Sequence, residues 1–276
     1  MATRVHRSYG VLMISIITPT YNTDKSILAR TWASLKAQTL TDWEWVVWDD
    51  STNTETWRQL YGFCSDERYK IAMYRSHVHS GSIGEIKRNA FMVAKGDILV
   101  ELDHDDELTP DCLAEIASAF EDPEVGFVYS DWCEILADGQ SGRYPEGWGF
   151  GYGSDYWSDE YGVWVMSAPE VNAVTMKHIV SAPNHVRAWR ADVYRKLNGH
   201  NPAYVVADDY ELVVRTFLET KFAHINRLLY KQHVGPSTAQ RQRNALIQDL
   251  VAAISSQYSD MIDSRFEELN KQTETE

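Results

Sequence analysis

Residues 12–22, "LMISIITPTYN", form a continuous apolar run that stops at a proline, the pattern of a strand buried on both faces. The following "DKSILARTWASLKAQTL" sets Ile27, Leu28, Trp32, Leu35 and Leu40 at helical spacing, and "DWEWVVWDDST" reads as a second strand ending in two aspartates. "RYKIAMYRS" is a third strand. After it, Ser82 with Glu85 three positions on matches a capping box, and Gly96 stands where that helix would end. "ILVELDHDD" is the fourth strand, "PDCLAEIASAFED" a helix with proline in its first turn, and "VGFVYSDWCEI" another strand. This alternation predicts an α/β protein: a Rossmann-like, mostly parallel sheet with flanking helices, doubly wound over residues 1 to about 137. Its ligand should lie beyond the carboxyl ends of the strands.

From Gly139 to Pro183 the periodicity fails. Glycines, polar residues and the aromatics Tyr144, Trp148, Phe150, Tyr152, Tyr156, Trp157, Tyr161 and Trp164 predict a long shaped loop region. Most of these rings should pack that region, although rings of this kind also stack on sugar faces. Order resumes with "HVRAWRADVYRKLNG", then "DDYELVVRTFLET" as a helix and "FAHINRLLYKQHV" as a strand. The tail from Thr238 places Leu246, Leu250, Ile254, Tyr258, Met261, Ile262 and Leu269 along a helical stripe that either docks on its own domain or forms a homodimer seam. The expected organisation is one domain over 1–237, its halves meeting near 137/138, followed by a helical extension over 238–276.

Composition narrows the partners. With 276 residues, 44% of them hydrophobic, the chain can bury a sizeable core without staples. Cys64, Cys112 and Cys133 are an odd, widely spaced set, which predicts free thiols in a reducing, cytoplasmic setting. No apolar run approaches the ~20 residues of a membrane helix, and the first strand follows the amino-terminal arginines without a small-residue cleavage site. A net charge of −14 excludes a general nucleic-acid or anionic-membrane binder. Phosphate handled beside this surplus of carboxylates calls for a divalent cation.

Five places carry candidate chemistry. In an extended chain Asp103 and Asp105 share a face and His104 points away. Two carboxylates a few ångströms apart repel by roughly 1 kcal/mol in water and about 4 at an effective dielectric near 20, which a cation between them relieves. Oxygen ligands suit Mg2+ or Mn2+, and an added histidine favours Mn2+. A solvated acidic turn is the plain alternative. Asp49 and Asp50 end another strand on the same rim, where a carboxylate either accepts from a base N–H or ribose hydroxyl or simply starts a turn.

In "ADDYELVVRTF", Asp208 as N-cap with Glu211 at N3 leaves Asp209 free to act as a general base, though the helix dipole weakens it. His233 ends a strand before the basic pair Arg241 and Arg243; it is either a surface histidine or a metal ligand, with the arginines near a diphosphate. Lys87 and Arg88 share a helix on which one pairs with Asp50 or a nucleotide, or both face solvent.

Together these segments resemble the family-two glycosyltransferases of the GT-A fold. "SIITPTYN", "TWASLKAQTLTDWEWVVWDDST", "IKRNAFMVAKGDILVELDHDDELTPDCL" and "LNGHNPAYVVADDYELVVRTF" match that family's motifs in order between about residues 14 and 235. The resemblance implies an inverting transfer from a nucleotide-diphospho-sugar, a UDP-sugar foremost, to a glycan or other hydroxyl acceptor. It places Pro19, Tyr21, Asp50 and Asp103 around the nucleotide with Arg88 nearby, and Asp105, His233 and Asp103 on Mn2+ or Mg2+. Asp209 becomes the base. Asp208, Asn184, His185, Trp189, Arg190 and Arg241 are candidate acceptor or diphosphate contacts. Asp208-Asp209 departs from the family's usual Glu-Asp, and the Gln-x-x-Arg-Trp signature of processive synthases is absent. A sugar-nucleotide hydrolase, a nucleotidylyltransferase and a non-catalytic carbohydrate- or nucleotide-binding module are the competing readings.

Overall fold

The first apolar run becomes β1 (Ile14–Thr20), the centre of a parallel half-sheet, because every residue up to Thr18 is buried and no face is left for solvent. The computed structural model describes residues 12–66, 68–180, 182–235 and 243–273. β1 pairs in parallel with β2 (Trp43–Asp49) on one side and with β4 (Ile98–Glu101) on the other, and β2 pairs in parallel with β3 (Lys70–Arg75). The connections are α1 (Lys25–Lys36), α2 (Glu55–Phe63) and α3 (Ile83–Val93). α1 buries Leu28, Trp32 and Leu35, and Trp32 stacks on Trp45 of β2 at 5.3 Å and on Phe63 of α2 at 5.6 Å.

The sheet continues past β4 through β9 (Arg187–Arg190), β6 (Val125–Leu136) and β10 (Lys221–Val234) to β5 (Glu107–Leu108), in the order β3-β2-β1-β4-β9-β6-β10-β5. β9 runs antiparallel between β4 and β6, so β6 and its parallel partner β10 point the same way as β1. The short β5 closes the edge against β10, and α4 (Cys112–Ala119) follows it. The predicted fold class therefore holds: a mixed, curled sheet, mostly parallel in direction, with helices on it.

Several local expectations change. Gly96 does not end α3, whose cap is Ala94; a Cβ at Gly96 would lie 2.6 Å from the backbone nitrogen of Ser15, so glycine is there because β1 passes too close. Ser82 does cap α3, accepting from the Glu85 nitrogen at 3.3 Å.

The region read as loop holds a hairpin, β7 (Ser154–Ser158) and β8 (Val163–Ser167), and the short α5 (Ala173–His178). Adjacent exposed rings at Tyr156 and Trp157 conceal the period of two. Only half of the rings pack as expected: Trp148 meets Trp132 and Tyr144, whose hydroxyl donates to Glu134, whereas Phe150 and Tyr152 are exposed as well.

α6 (Ala191–Lys196) and α7 (Asp208–Glu219) precede β10. The carboxyl-terminal helix α8 (Asn244–Thr273) docks on its own chain, against α5 and α7. Phe266 stacks on Phe217, Tyr258 donates to Glu211, and Lys177 pairs with Asp263. Ile254 and Ile262 of the predicted stripe are buried there, whereas Leu246 and Met261 stay exposed. The three cysteines are unpaired. No helix among the described residues is long and apolar enough to cross a membrane.

Candidate active site

Because β1, β2 and β4 are parallel, their carboxyl ends share one rim; the loops leaving them carry two corners of a site, and the start of α7 supplies a third. At the first corner Tyr21, 45% exposed, stacks on His79 at 4.6 Å. The buried Asp50 carboxylate lies 2.6 Å from His79 Nδ1 and accepts from the Ser80 nitrogen. Pro19 is half-buried in β1 beside them. Asn22, in the left-handed region at φ 47°, ties the loops after β1 and β2 together: its nitrogen donates to Ser51 and its side-chain oxygen accepts from Asn53.

The second corner is the acidic turn. β4 ends at Glu101, and the Asp106 nitrogen bonds back to the Asp103 carbonyl, so residues 103–106 turn instead of extending and the alternation expected of Asp103, His104 and Asp105 does not apply. Among the described residues, Asp103 and Asp106 of this turn and His185, just before β9, form a group that could hold a metal ion, with one donor atom from each lying within 4.8 Å of the others. Asp106 is buried and accepts from the His233 nitrogen and the Tyr230 hydroxyl, both at 2.7 Å. Burial first, then the charges of Asp105 and Asp103, push its carboxyl well above the usual range.

His185 stacks on the Tyr230 ring at 4.2 Å. Burial and then Arg187 lower it to about 4, so at neutral pH it is an uncharged imidazole, the form that binds a metal. Asp105 and His233 lie outside this group: the Asp105 carbonyl accepts from Arg30, and His233 Nε2 faces Glu107 Oε1 at 2.7 Å.

The third corner is the start of α7. Its cap is Ala207 at φ 58°, so Asp208 is the first helical residue and not the N-cap, and Glu211 pairs with Arg215 instead of completing a capping box. The two adjacent acids then diverge. Asp209 keeps 30% of its side chain exposed and accepts from Arg187 Nη1 at 2.7 Å, whereas the Asp208 side chain is 4% exposed and its Oδ2 finds only His200 Nε2, at 3.8 Å. A Cβ on Gly84 would lie 3.0 Å from Asp208 Cβ, which shows how closely α3 and α7 approach.

Beneath them Glu101, fully buried, accepts from Lys87 Nζ at 2.6 Å and Arg187 Nη2 at 3.1 Å. Burial acts to raise Asp209, but Arg187 and then Lys87 hold it down to about 2. Burial raises Asp208 to about 7, against the pull of Lys87 and helped by the charge of Asp209.

Other predicted contacts are placed elsewhere. Arg88 turns from the nucleotide corner and donates to the carbonyl and side-chain oxygens of Asn198. Trp189 is fully buried in β9 against Phe91 and Phe127, with its indole nitrogen on Thr216, because β9 runs through the middle of the sheet. Arg190 donates to the carbonyls of Phe120, Asp122 and Val125 and so ties down the end of α4. Asp208 is too buried to meet an acceptor. Asn184 is half-buried next to His185, and Arg241 lies outside the described residues.

Sequence reasoning missed Glu101, Arg187, His200 and His79 and left Lys87 open. The lone acid in "ILVEL" was the available signal for Glu101, since a charge in a buried strand demands a partner.

A family model described as glycosyl transferase family 2 matches residues 15–177. The O-antigen biosynthesis protein RfbC of Myxococcus xanthus is 28% identical over 238 residues, 84% of this chain. The chain spans only 16% of that relative's length. Among solved structures, S. aureus TarS 1-349 in complex with UDP-GlcNAc matches with a TM-score of 0.66 at 17% identity, over 88% of this chain and 66% of that one. The mannosyltransferase PcManGT from Pyrobaculum calidifontis, in complex with GDP-Man and Mn2+, matches with a TM-score of 0.59 at 15% identity, over 91% of this chain and 73% of that one.

Proposed function

The chain belongs to glycosyl transferase family 2, and from that premise we propose that its rim transfers a sugar from a nucleotide-diphospho-sugar, with UDP the favoured nucleotide, to a hydroxyl acceptor. The observation that carries this reading is the gathering of Asp103, Asp106 and His185 beside a helix start whose Asp209 carboxylate reaches solvent.

Pro19, Tyr21 and Asp50 form the nucleobase wall, and His79 must yield the Tyr21 face and the Asp50 carboxylate that it occupies. Asp103 faces the ribose and the diphosphate. Two carboxylates and an uncharged imidazole, with His185 Nδ1 buried and unbonded, suit a divalent ion such as Mn2+. The resemblance also names Asp105 and His233, and for His233 to join, its Nε2 must leave Glu107. A bound cation supplies stabilisation of the charge left on the departing diphosphate. TarS with UDP-GlcNAc and PcManGT with Mn2+ support the choice of nucleotide and ion.

Asp209, not Asp208, takes the acceptor proton, because only its carboxylate is reachable. Held near 2, it is ionised at physiological pH, and it completes the transfer as the new bond acidifies the hydroxyl. One base and no protein nucleophile give inversion at the anomeric carbon.

The test is a thermal-shift panel of UDP, GDP and dTDP with and without Mn2+, followed by transfer assays. Saturation at a hundred times Kd adds about 2.7 kcal/mol of stability, and Asp103→Asn should lose the Mn2+-dependent part. Asp209→Asn should keep nucleotide binding and lose transfer by a factor of about 100 or more. Undiminished transfer by that variant removes Asp209 as the base, and nucleotide release at the same rate without acceptor supports the hydrolase.

A further inference from the structure

The register of β9 on β4 sets Arg187 directly across from Glu101, so both side chains leave the same face of the sheet. Arg187 divides its guanidinium between two elements: Nη2 bonds Glu101 Oε1 at 3.1 Å, and Nη1 bonds Asp209 Oδ2 at 2.7 Å. Lys87 from α3 holds the same Glu101 oxygen at 2.6 Å, so the fork is anchored at its base. The other Asp209 oxygen accepts from the Tyr210 nitrogen. The Arg187 side chain is 4% exposed and Glu101 is fully buried. Buried ion pairs of this kind add little stability over well-packed apolar residues, so stability alone is a poor reason for placing them under the cleft.

We propose that Arg187 is a positioning residue for the reaction, a fork braced on Glu101 that holds the Asp209 carboxylate in one orientation. The proposal rests on Asp209 being the base. The groups that face Asp209 are Arg187 of β9, Lys87 of α3, Glu101 of β4, its neighbour Asp208, and His200 from the turn after α6. Arg187 and Lys87 favour the ionised form, whereas burial and Glu101 oppose it. Removing Arg187 therefore makes Asp209 easier to protonate.

The experiment follows the Asp209 carboxyl by carbon-13 NMR in the full chain, with the resonance assigned by its loss in Asp209→Asn. The pH profile of transfer is recorded alongside, using the UDP-sugar that turns over fastest. Arg187→Gln should raise the Asp209 midpoint, and with it the acid limb of the profile, by at least about one pH unit, lowering kcat more than it changes KM. Arg187→Lys should fall between the two. Should Arg187→Gln fail to fold, the double variant Glu101→Gln/Arg187→Gln removes both charges of the cross-strand pair and should still raise the midpoint. A folded Arg187→Gln or double variant with an unmoved Asp209 midpoint overturns the proposal. Full transfer by Asp209→Asn, with the midpoint nonetheless moving in Arg187→Gln, overturns the assignment of the base and leaves the fork as an electrostatic clamp.

Discussion

Two acidic neighbourhoods sit at the end of the same short strand and are neutralised in opposite ways. Glu101 and Asp209 meet their counter-charges inside the protein, from Lys87 and Arg187. Asp103 and Asp106, a turn further on, make no ion pair with a lysine or arginine among the described residues and are met by an uncharged imidazole and a tyrosine hydroxyl. In the first network the protein completes its own electrostatics, which fixes geometry. In the second it closes no ion pair, and burial with the charges of Asp105 and Asp103 drives the Asp106 carboxyl towards its protonated form. A run of carboxylates is therefore not one feature: what decides its role is which cations the neighbouring strands deliver.

The contrast can be broken most severely at Glu101. Glu101→Gln strands Lys87 with no carboxylate and halves the anchoring of Arg187, and should cost about 3–5 kcal/mol in chemical denaturation. A loss below 1 kcal/mol would mean that the network is not closed. Asp208 offers a pH signature of the same network. Its carboxyl is raised to about 7 in the fold against an ordinary value of 3.8. The folded state thus binds the proton more tightly, so this contribution to stability is present below pH 4 and is lost as pH rises through 7. Asp208→Asn should flatten that decline, which amounts to up to about 4 kcal/mol, in denaturation curves taken from pH 4 to 8. The smallest effect belongs to the second neighbourhood: without metal, Asp106→Asn relieves the burial and repulsion that oppose its ionised form but gives up one of its two accepted hydrogen bonds, and should change stability by no more than about 1–2 kcal/mol. A loss as large as that of Glu101→Gln would erase the distinction between the two clusters.

Much of the frame was legible in the chain. The runs at 14–20, 43–49 and 98–101 are apolar because strands covered on both faces admit little else, and acids just after such runs stand at the rim of a parallel sheet. That logic locates Asp50 and Asp103 on the rim, and the doublet that opens α7 locates Asp209. It fails where a role depends on a distant partner. Glu101 is one polar letter in an apolar strand, and Arg187 lies 86 positions away. Lys87 and Arg88 are indistinguishable as neighbouring cations, yet one is buried on Glu101 and the other reaches Asn198. Trp189 reads as an amphipathic cleft residue until β9 is seen to run between β4 and β6.

The sequence by itself determined the strands and helices of the parallel half, the family and the rim on which the acids after those strands sit, because local hydrophobic period and turn residues act over a few positions. Only the tertiary structure decided which carboxylate is clamped by an arginine, which is buried and which is left without a lysine or arginine partner among the described residues. The inserted antiparallel strand sets the register that brings Arg187 to Glu101, and the close approach of α3 and α7 buries Asp208 while leaving Asp209 in reach of solvent.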